Sequence, residues 1–66
     1  ATDPTAPELH AYESFALQHL GKCLTEQGRR DEAIDTLTRA LELRRMDGDT
    51  ALITSTEAAL RLAQAS

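Results

Sequence analysis

Residues 17–40 read LQHLGKCLTEQGRRDEAIDTLTRA, and this stretch decides the fold. Apolar and small residues recur in it at Leu17, Leu20, Gly21, Leu24, Gly28, Ala33, Leu37 and Ala40. Steps of three and four residues are the period of an α-helix. Gly28 interrupts that period, because glycine readily adopts the left-handed conformation that ends a helix. The stretch therefore predicts two helices joined by a tight turn, with small residues where their backbones approach.

Extending the pattern in both directions predicts three helices, over about 6–27, 30–46 and 50–64. The first carries an apolar stripe of Leu9, Tyr12, Ala16, Leu20 and Leu24, widened by Leu17 and Cys23. The second has a predicted buried face of Ala33, Ile34, Leu37, Ala40 and Leu41. The third has apolar positions at Leu52, Ile53, Ala59, Leu60, Leu62 and Ala63. Each set has helical spacing, which is typical of amphipathic helices packed against one another.

The ends of these helices have their own signals. Residues 1–5 show no periodicity, so we expect a flexible lead-in followed by one helical domain over 6–66. Thr5 and Glu8 have the spacing of a capping box at the start of the first helix. Gly48 is expected to end the second helix and Asp49 to cap the third. The two arginines before Gly48 suit the last turn of a helix, where positive charge is favourable.

Composition excludes several classes of function. The chain has 66 residues, and its formal net charge is −4. Nucleic-acid binding depends on Lys and Arg that neutralise phosphates, so we expect no nucleic-acid partner. No apolar run approaches the roughly 20 residues that span a bilayer, so we expect no membrane partner. Cys23 is the single cysteine and has no internal disulfide partner, which favours a cytoplasmic location.

The pattern over 17–40, about a third of the chain, resembles a tetratricopeptide repeat (TPR), a helix-turn-helix unit. The matching positions are Leu20, Gly21, Gly28, Ala33 and Ala40. Aliphatic residues stand where the family has aromatic ones, at Leu17, Leu24 and Leu37, and Arg45 stands where a proline is common. The resemblance implies an all-α fold, similar to the long-period repeats of kinesin light chains and of many bacterial regulators.

An offset of 42 residues matches the first helix to the third. It places Leu20-Gly21 on Leu62-Ala63 and Ala16-Leu17 on Ala58-Ala59. The third helix then resembles the first helix of a second repeat, so the chain is interpreted as one and a half repeats of an α-solenoid. Because about three repeats are normally needed for stability, we expect either a piece of a longer array or self-association.

The resemblance implies a non-catalytic protein–protein interaction module with no cofactor. In the family, one side of the first helix lines a groove for a partner peptide. The residues that this implies are Phe15, Gln18, His19, Lys22 and Glu26. Lys22 would pair with an acidic group, Gln18 would bond a peptide backbone, and Phe15 would supply an apolar anchor. The alternative is an ordinary solvated face, with Phe15 packed on a neighbouring helix.

Two other interpretations stay open. The chain could form a homodimer by laying Leu52, Ala59 and Leu62 against the same residues of a second copy. It could also be a small structural or regulatory helical domain, such as the dimerisation element of a larger regulator, with no peptide groove.

Chemistry-bearing side chains are sparse, and we predict neither a metal site nor a catalytic residue. His19 and Cys23 share a helix face at a spacing that can hold zinc, but no second ligand pair follows. Asp47-Gly48-Asp49 lacks the alternating oxygen ligands and the closing Glu of a calcium loop. A Cys-His nucleophile would need a water-excluding pocket, which three helices hardly supply.

Overall fold

The computed structural model describes residues 7–65, with side chains from residue 11 onward. Over that range the chain forms three α-helices and no strand: α1 (Pro7–Glu26), α2 (Arg30–Asp47) and α3 (Thr50–Ala65). The predicted all-α fold is confirmed, and the helix bounds differ from the predicted ranges by one residue at most. The predicted lead-in, the Thr5–Glu8 capping box and the side chain of Leu9 lie outside the described residues.

The ends of α1 and α2 and the start of α3 carry the residues that the sequence predicts there. Gly28 and Gly48 have φ angles of 76° and 78°, the left-handed conformation that glycine adopts without strain. After α1, the Arg29 amide donates to the Leu24 carbonyl over 2.9 Å, which closes the turn between α1 and α2. At the start of α3, an Asp49 carboxylate oxygen accepts a hydrogen bond from the Leu52 amide over 3.2 Å. Asp49 is therefore the N-cap of α3, since its side chain satisfies an otherwise unpaired amide.

The centre of the fold is α2, which packs against both other helices. Its predicted face is confirmed: Ala33, Leu37 and Ala40 are completely buried, Leu41 is buried, and Ile34 packs at the edge. The core that forms around this face contains Leu24, Ala33, Leu37, Ala59 and Ala63. It is almost entirely aliphatic and small, because both aromatic side chains described lie on the surface.

The packed face of α1 agrees only in part with the predicted apolar stripe. Leu24 is buried as predicted, and Leu17 and Cys23 are half-buried. Tyr12 and Leu20 are instead exposed to 73% and 49%, and Ala16 is exposed as well. The other buried residues of α1 are Ser14 and Gly21. The reason lies in Leu37 of α2, which fills the space beside Gly21. A Cβ atom at Gly21 would lie 2.6 Å from Leu37 Cδ2, so only a glycine allows this approach.

The third helix also turns small residues inward. Thr56, Ala59 and Ala63 are buried, whereas Leu52 and Leu62 are exposed. The two matched segments have the same burial: Leu20 and Leu62 are exposed, and the small residues after them, Gly21 and Ala63, are buried. Both helices thus approach α2 through small residues and leave a leucine outside.

Candidate functional site

A shallow groove runs between α1 and α3. Its larger part, about 120 Å³, is lined by Lys22, Thr25, Glu26, Ala59 and Leu62. A smaller cleft of about 70 Å³ continues along α1 and is lined by Phe15, Gln18, His19 and Lys22. The two cavities share Lys22, so they form one continuous surface, called here the α1–α3 groove.

All the residues predicted to face a partner line the α1–α3 groove. Phe15, Gln18, His19 and Lys22 lie along the smaller cleft, and Glu26 lies beside the larger cavity. They come together because positions three and four apart share one side of a helix. Phe15 is 65% exposed and so is not packed on a neighbouring helix. It presents an aromatic face to solvent at one end of the groove.

The floor and rim of the groove differ in chemistry. Ala59 and Leu62 of α3 provide apolar surface, whereas Lys22 and Glu26 are exposed and carry opposite charges. Within the described part of the chain, no ion pair joins these two side chains. The ammonium and the carboxylate are therefore both available to a ligand that lies along α1.

Gln18, which is predicted to bond a peptide backbone, makes two hydrogen bonds within the chain. Its side-chain oxygen accepts a hydrogen bond from the Thr56 hydroxyl over 2.8 Å, and its nitrogen donates to the Ser55 hydroxyl over 3.3 Å. Both partners are on α3, so Gln18 joins the two walls of the groove. This arrangement engages both ends of the amide that the resemblance assigned to a peptide backbone.

The three residues predicted for self-association do not share one exposed face. Leu52 and Leu62 are exposed, but Ala59 is 9% exposed and belongs to the core. The three residues lie at helical spacing on α3, but Ala59, in the middle of that face, is turned toward α1 and α2. Ala59 is therefore covered within its own chain. The neighbouring Ala58 is exposed in its place.

Other chemistry has little support from the geometry. Among the described residues, no three His, Cys, Asp or Glu side chains are placed to hold a metal ion. Cys23 is a half-buried free thiol. No helix in the described range has the length and apolar character to cross a membrane.

One unusual residue is Arg44. The sequence predicts an ordinary helix-end arginine, but Arg44 is among the buried residues of α2. The signal was present in the spacing, since Arg44 follows Leu37 by seven residues and Leu41 by three. A position in phase with the buried face of a helix points inward whatever its side chain.

The chain was compared with protein-family models, with curated proteins and with solved structures, and none of them matches.

Proposed function

We propose that this chain is a non-catalytic protein-interaction module of TPR type, which holds a peptide segment of a partner in the α1–α3 groove. The observation that carries the proposal is the groove itself. It combines an exposed aromatic side chain, an apolar floor and two unpaired opposite charges along one helix. Peptide-binding surfaces use this combination, since buried anchors supply affinity and rim charges supply orientation.

The TPR assignment draws support from the packing of α1 against α2. Gly21, Ala33 and Ala40, which stand at the small positions of the family pattern, are all buried where helices approach. The equal burial of the matched segments in α1 and α3 agrees with a repeated unit. Small residues at these positions let ridges on one helix enter grooves on the next.

The groove predicts a bound segment with an apolar side chain next to charged groups. The cavity beside Ala59 and Leu62 has room for one medium-sized side chain. Lys22 would pair with a ligand carboxylate, and Glu26, one turn along α1, would pair with a ligand cation. His19 extends the polar edge beside Lys22. A segment with alternating charge around one apolar residue therefore suits this surface best.

The test uses a peptide selected from a random 12-residue display library against the immobilised chain. We expect Phe15→Ala and Lys22→Ala each to weaken binding of that peptide by about tenfold or more, as truncation of an anchor does. Leu20→Ala is the control, because Leu20 is an exposed apolar residue of α1 that lines neither part of the groove. Its effect should stay within about twofold. A loss for Leu20→Ala equal to that for Phe15→Ala, or no loss for Phe15→Ala and Lys22→Ala, would reject the groove as the binding site.

A second candidate, self-association through α3, is favoured by the charge distribution of that helix. Its two charged residues, Glu57 and Arg61, lie on the side toward α2, where Glu57 pairs with Arg45. A second side, which borders the α1–α3 groove through Ser55 and Leu62, exposes Ala51, Ser55, Ala58, Leu62 and Ala65, all uncharged. Two copies of an acidic chain could approach there without opposing like charges.

Light scattering at high micromolar concentration separates the two candidates. A dimer that Leu62→Glu converts to a monomer would favour self-association through α3. A strict monomer would remove it and leave peptide binding. A chain that neither dimerises nor selects a peptide at the groove would favour the structural or regulatory helical domain.

A further inference from the structure

Arg44 differs from four other arginines of the chain, which have ion-pair or hydrogen-bond partners. Arg29, Arg39 and Arg45 form ion pairs with carboxylates, at the surface. Arg30 donates to the Gln64 carbonyl oxygen. Arg44 is 4% exposed, and its Nε and Nη1 atoms are buried without a hydrogen-bond partner among the described residues. Such a group calls for a physical explanation, because buried polar atoms in proteins are almost always hydrogen-bonded.

The position of Arg44 follows from the register of α1 and α2. Leu37 lies directly beside Gly21, as the space around that glycine shows. Two helical turns toward the C-terminus of α2 lead from Leu37 to Arg44. Two turns toward the N-terminus of α1 lead from Gly21 to Ser14. Because the two helices are antiparallel, Ser14 and Arg44 lie at the same level of the bundle.

The third helix adds a polar residue near this level. The ion pair between Arg45 and Glu57 places the neighbouring residues Arg44 and Thr56 near one another along the bundle. Ser14, Arg44 and Thr56 are the buried polar side chains of the described core. They form a polar layer at the end of the bundle opposite the turn at Gly28, whereas the core nearer that turn is apolar.

The two hydroxyls of the polar layer are already engaged. Ser14 donates to the Ala11 carbonyl over 3.0 Å. The Thr56 hydroxyl bonds the Gln18 side-chain oxygen and also lies 2.9 Å from the Leu52 carbonyl. Each hydroxyl gives its single proton to its own helix or to Gln18. Among the described residues, neither hydroxyl oxygen accepts a hydrogen bond from Nε or Nη1 of Arg44, and these two atoms have no other acceptor. A buried cation without a partner is unfavourable, so an anion that reached it would stabilise the fold.

We propose that Arg44 is the receptor for a single carboxylate, which enters the polar layer at this end of the bundle. A carboxylate fits better than a phosphate, because one guanidinium matches its two oxygens and its single charge. The site is separate from the α1–α3 groove and does not depend on the function proposed there. The carboxylate that this site would take belongs to an acidic ligand in solution.

The first test is an NMR titration of the chain with sodium acetate, against sodium chloride at equal ionic strength. We expect acetate to shift the Nε–Hε signal of Arg44 and to leave that of Arg45 in place. Acetate should also raise the melting temperature with concentration, as any ligand of the folded state does. Arg44→Met should abolish this acetate-dependent rise, and Arg45→Met, the matched surface control, should retain it.

The proposal is overturned if acetate does not change the Arg44 signal. It is also overturned if acetate raises the melting temperature of the wild type, Arg44→Met and Arg45→Met equally.

Discussion

The bundle has two helix interfaces, called seams here, and they are built differently: one joins α1 to α2, and the other joins α3 to both. Between α1 and α2 the contact is apolar and tight: Leu37 is completely buried beside Gly21, and Ala33 and Ala40 are buried along the same face of α2. The third helix adds two buried alanines but is also tied by polar links. Gln18 bonds Thr56, Arg45 pairs with Glu57, and Arg30 bonds the Gln64 carbonyl.

The difference bears on the α1–α3 groove. Tight apolar packing depends on shape and tolerates little change of volume, whereas exposed polar links, such as those of Arg45 and Arg30, exchange readily with water. The Gln18–Thr56 bond differs, because Thr56 is completely buried. We therefore expect the hairpin of α1 and α2 to be the more rigid unit and α3 the more adjustable wall. A peptide between α1 and α3 would meet one fixed side, with Phe15 and Lys22, and one movable side with Leu62.

The largest expected effect comes from emptying the tight seam. Leu37→Ala removes a completely buried side chain and should cost roughly 2–5 kcal/mol of unfolding free energy. A domain of this size is expected to have only about 3–10 kcal/mol in total. We therefore expect a partly unfolded protein, measured by urea titration of the helical circular dichroism signal. Leu20→Ala, at an exposed leucine of α1, is the control and should cost much less.

The next effect comes from overfilling the same seam. Gly21→Ala places a methyl group 2.6 Å from Leu37 Cδ2, which overpacks the contact by about 1–3 kcal/mol. Better helix propensity returns about 1 kcal/mol, so we expect a net loss of no more than about 2 kcal/mol. In a double-mutant cycle, Leu37→Ala should relieve the clash and make Gly21→Ala neutral or stabilising. Strict additivity of the two changes would contradict the close contact between these residues.

The interface between α1 and α2 also shows which buried faces can be predicted from a single sequence. The face of α2 could be predicted, because Ala33, Leu37, Ala40 and Leu41 are its one coherent apolar side. On α1 two faces compete, and the more apolar one, with Tyr12 and Leu20, is the exposed one. The choice is made by volume, since Leu37 needs the space that Gly21 leaves. Periodicity records hydrophobic character and not complementary shape.

Five residues on the α1 side of the groove were predictable, but their bonds and the α3 side were not. Helical spacing brings Phe15, Lys22 and Glu26 to one side of α1 whatever α3 does. The bonds of Gln18 depend on Thr56, which is 38 residues away, and on the rotation of α3. No local pattern contains that information. Arg44 was predictable in principle, but the charge preference of a helix end concealed its place on the buried face.

A smaller effect is expected from the polar link of α3. Thr56→Val keeps the shape of a completely buried residue and removes its hydrogen bond to Gln18. The loss should be about 0.5–1.5 kcal/mol, and hydrogen exchange should quicken in α3 more than in α2. Thr54→Val is the matched control, because the Thr54 hydroxyl also bonds a carbonyl one turn back in α3 but is exposed. Equal costs for the two variants would show that the link to Gln18 adds nothing.

The smallest effect is expected from the surface ion pair of the same seam. Arg45 and Glu57 approach to 3.6 Å, but their side chains are 61% and 42% exposed. Water and salt screen such a pair, so Glu57→Gln should cost no more than about 0.5 kcal/mol at low salt. The cost should vanish in 1 M sodium chloride, as measured by thermal melts at both salt concentrations. A loss as large as that of Thr56→Val, or one that persists at high salt, would show that this exposed ion pair holds α3 in place. The expected order instead assigns the stability of this seam to its buried residues.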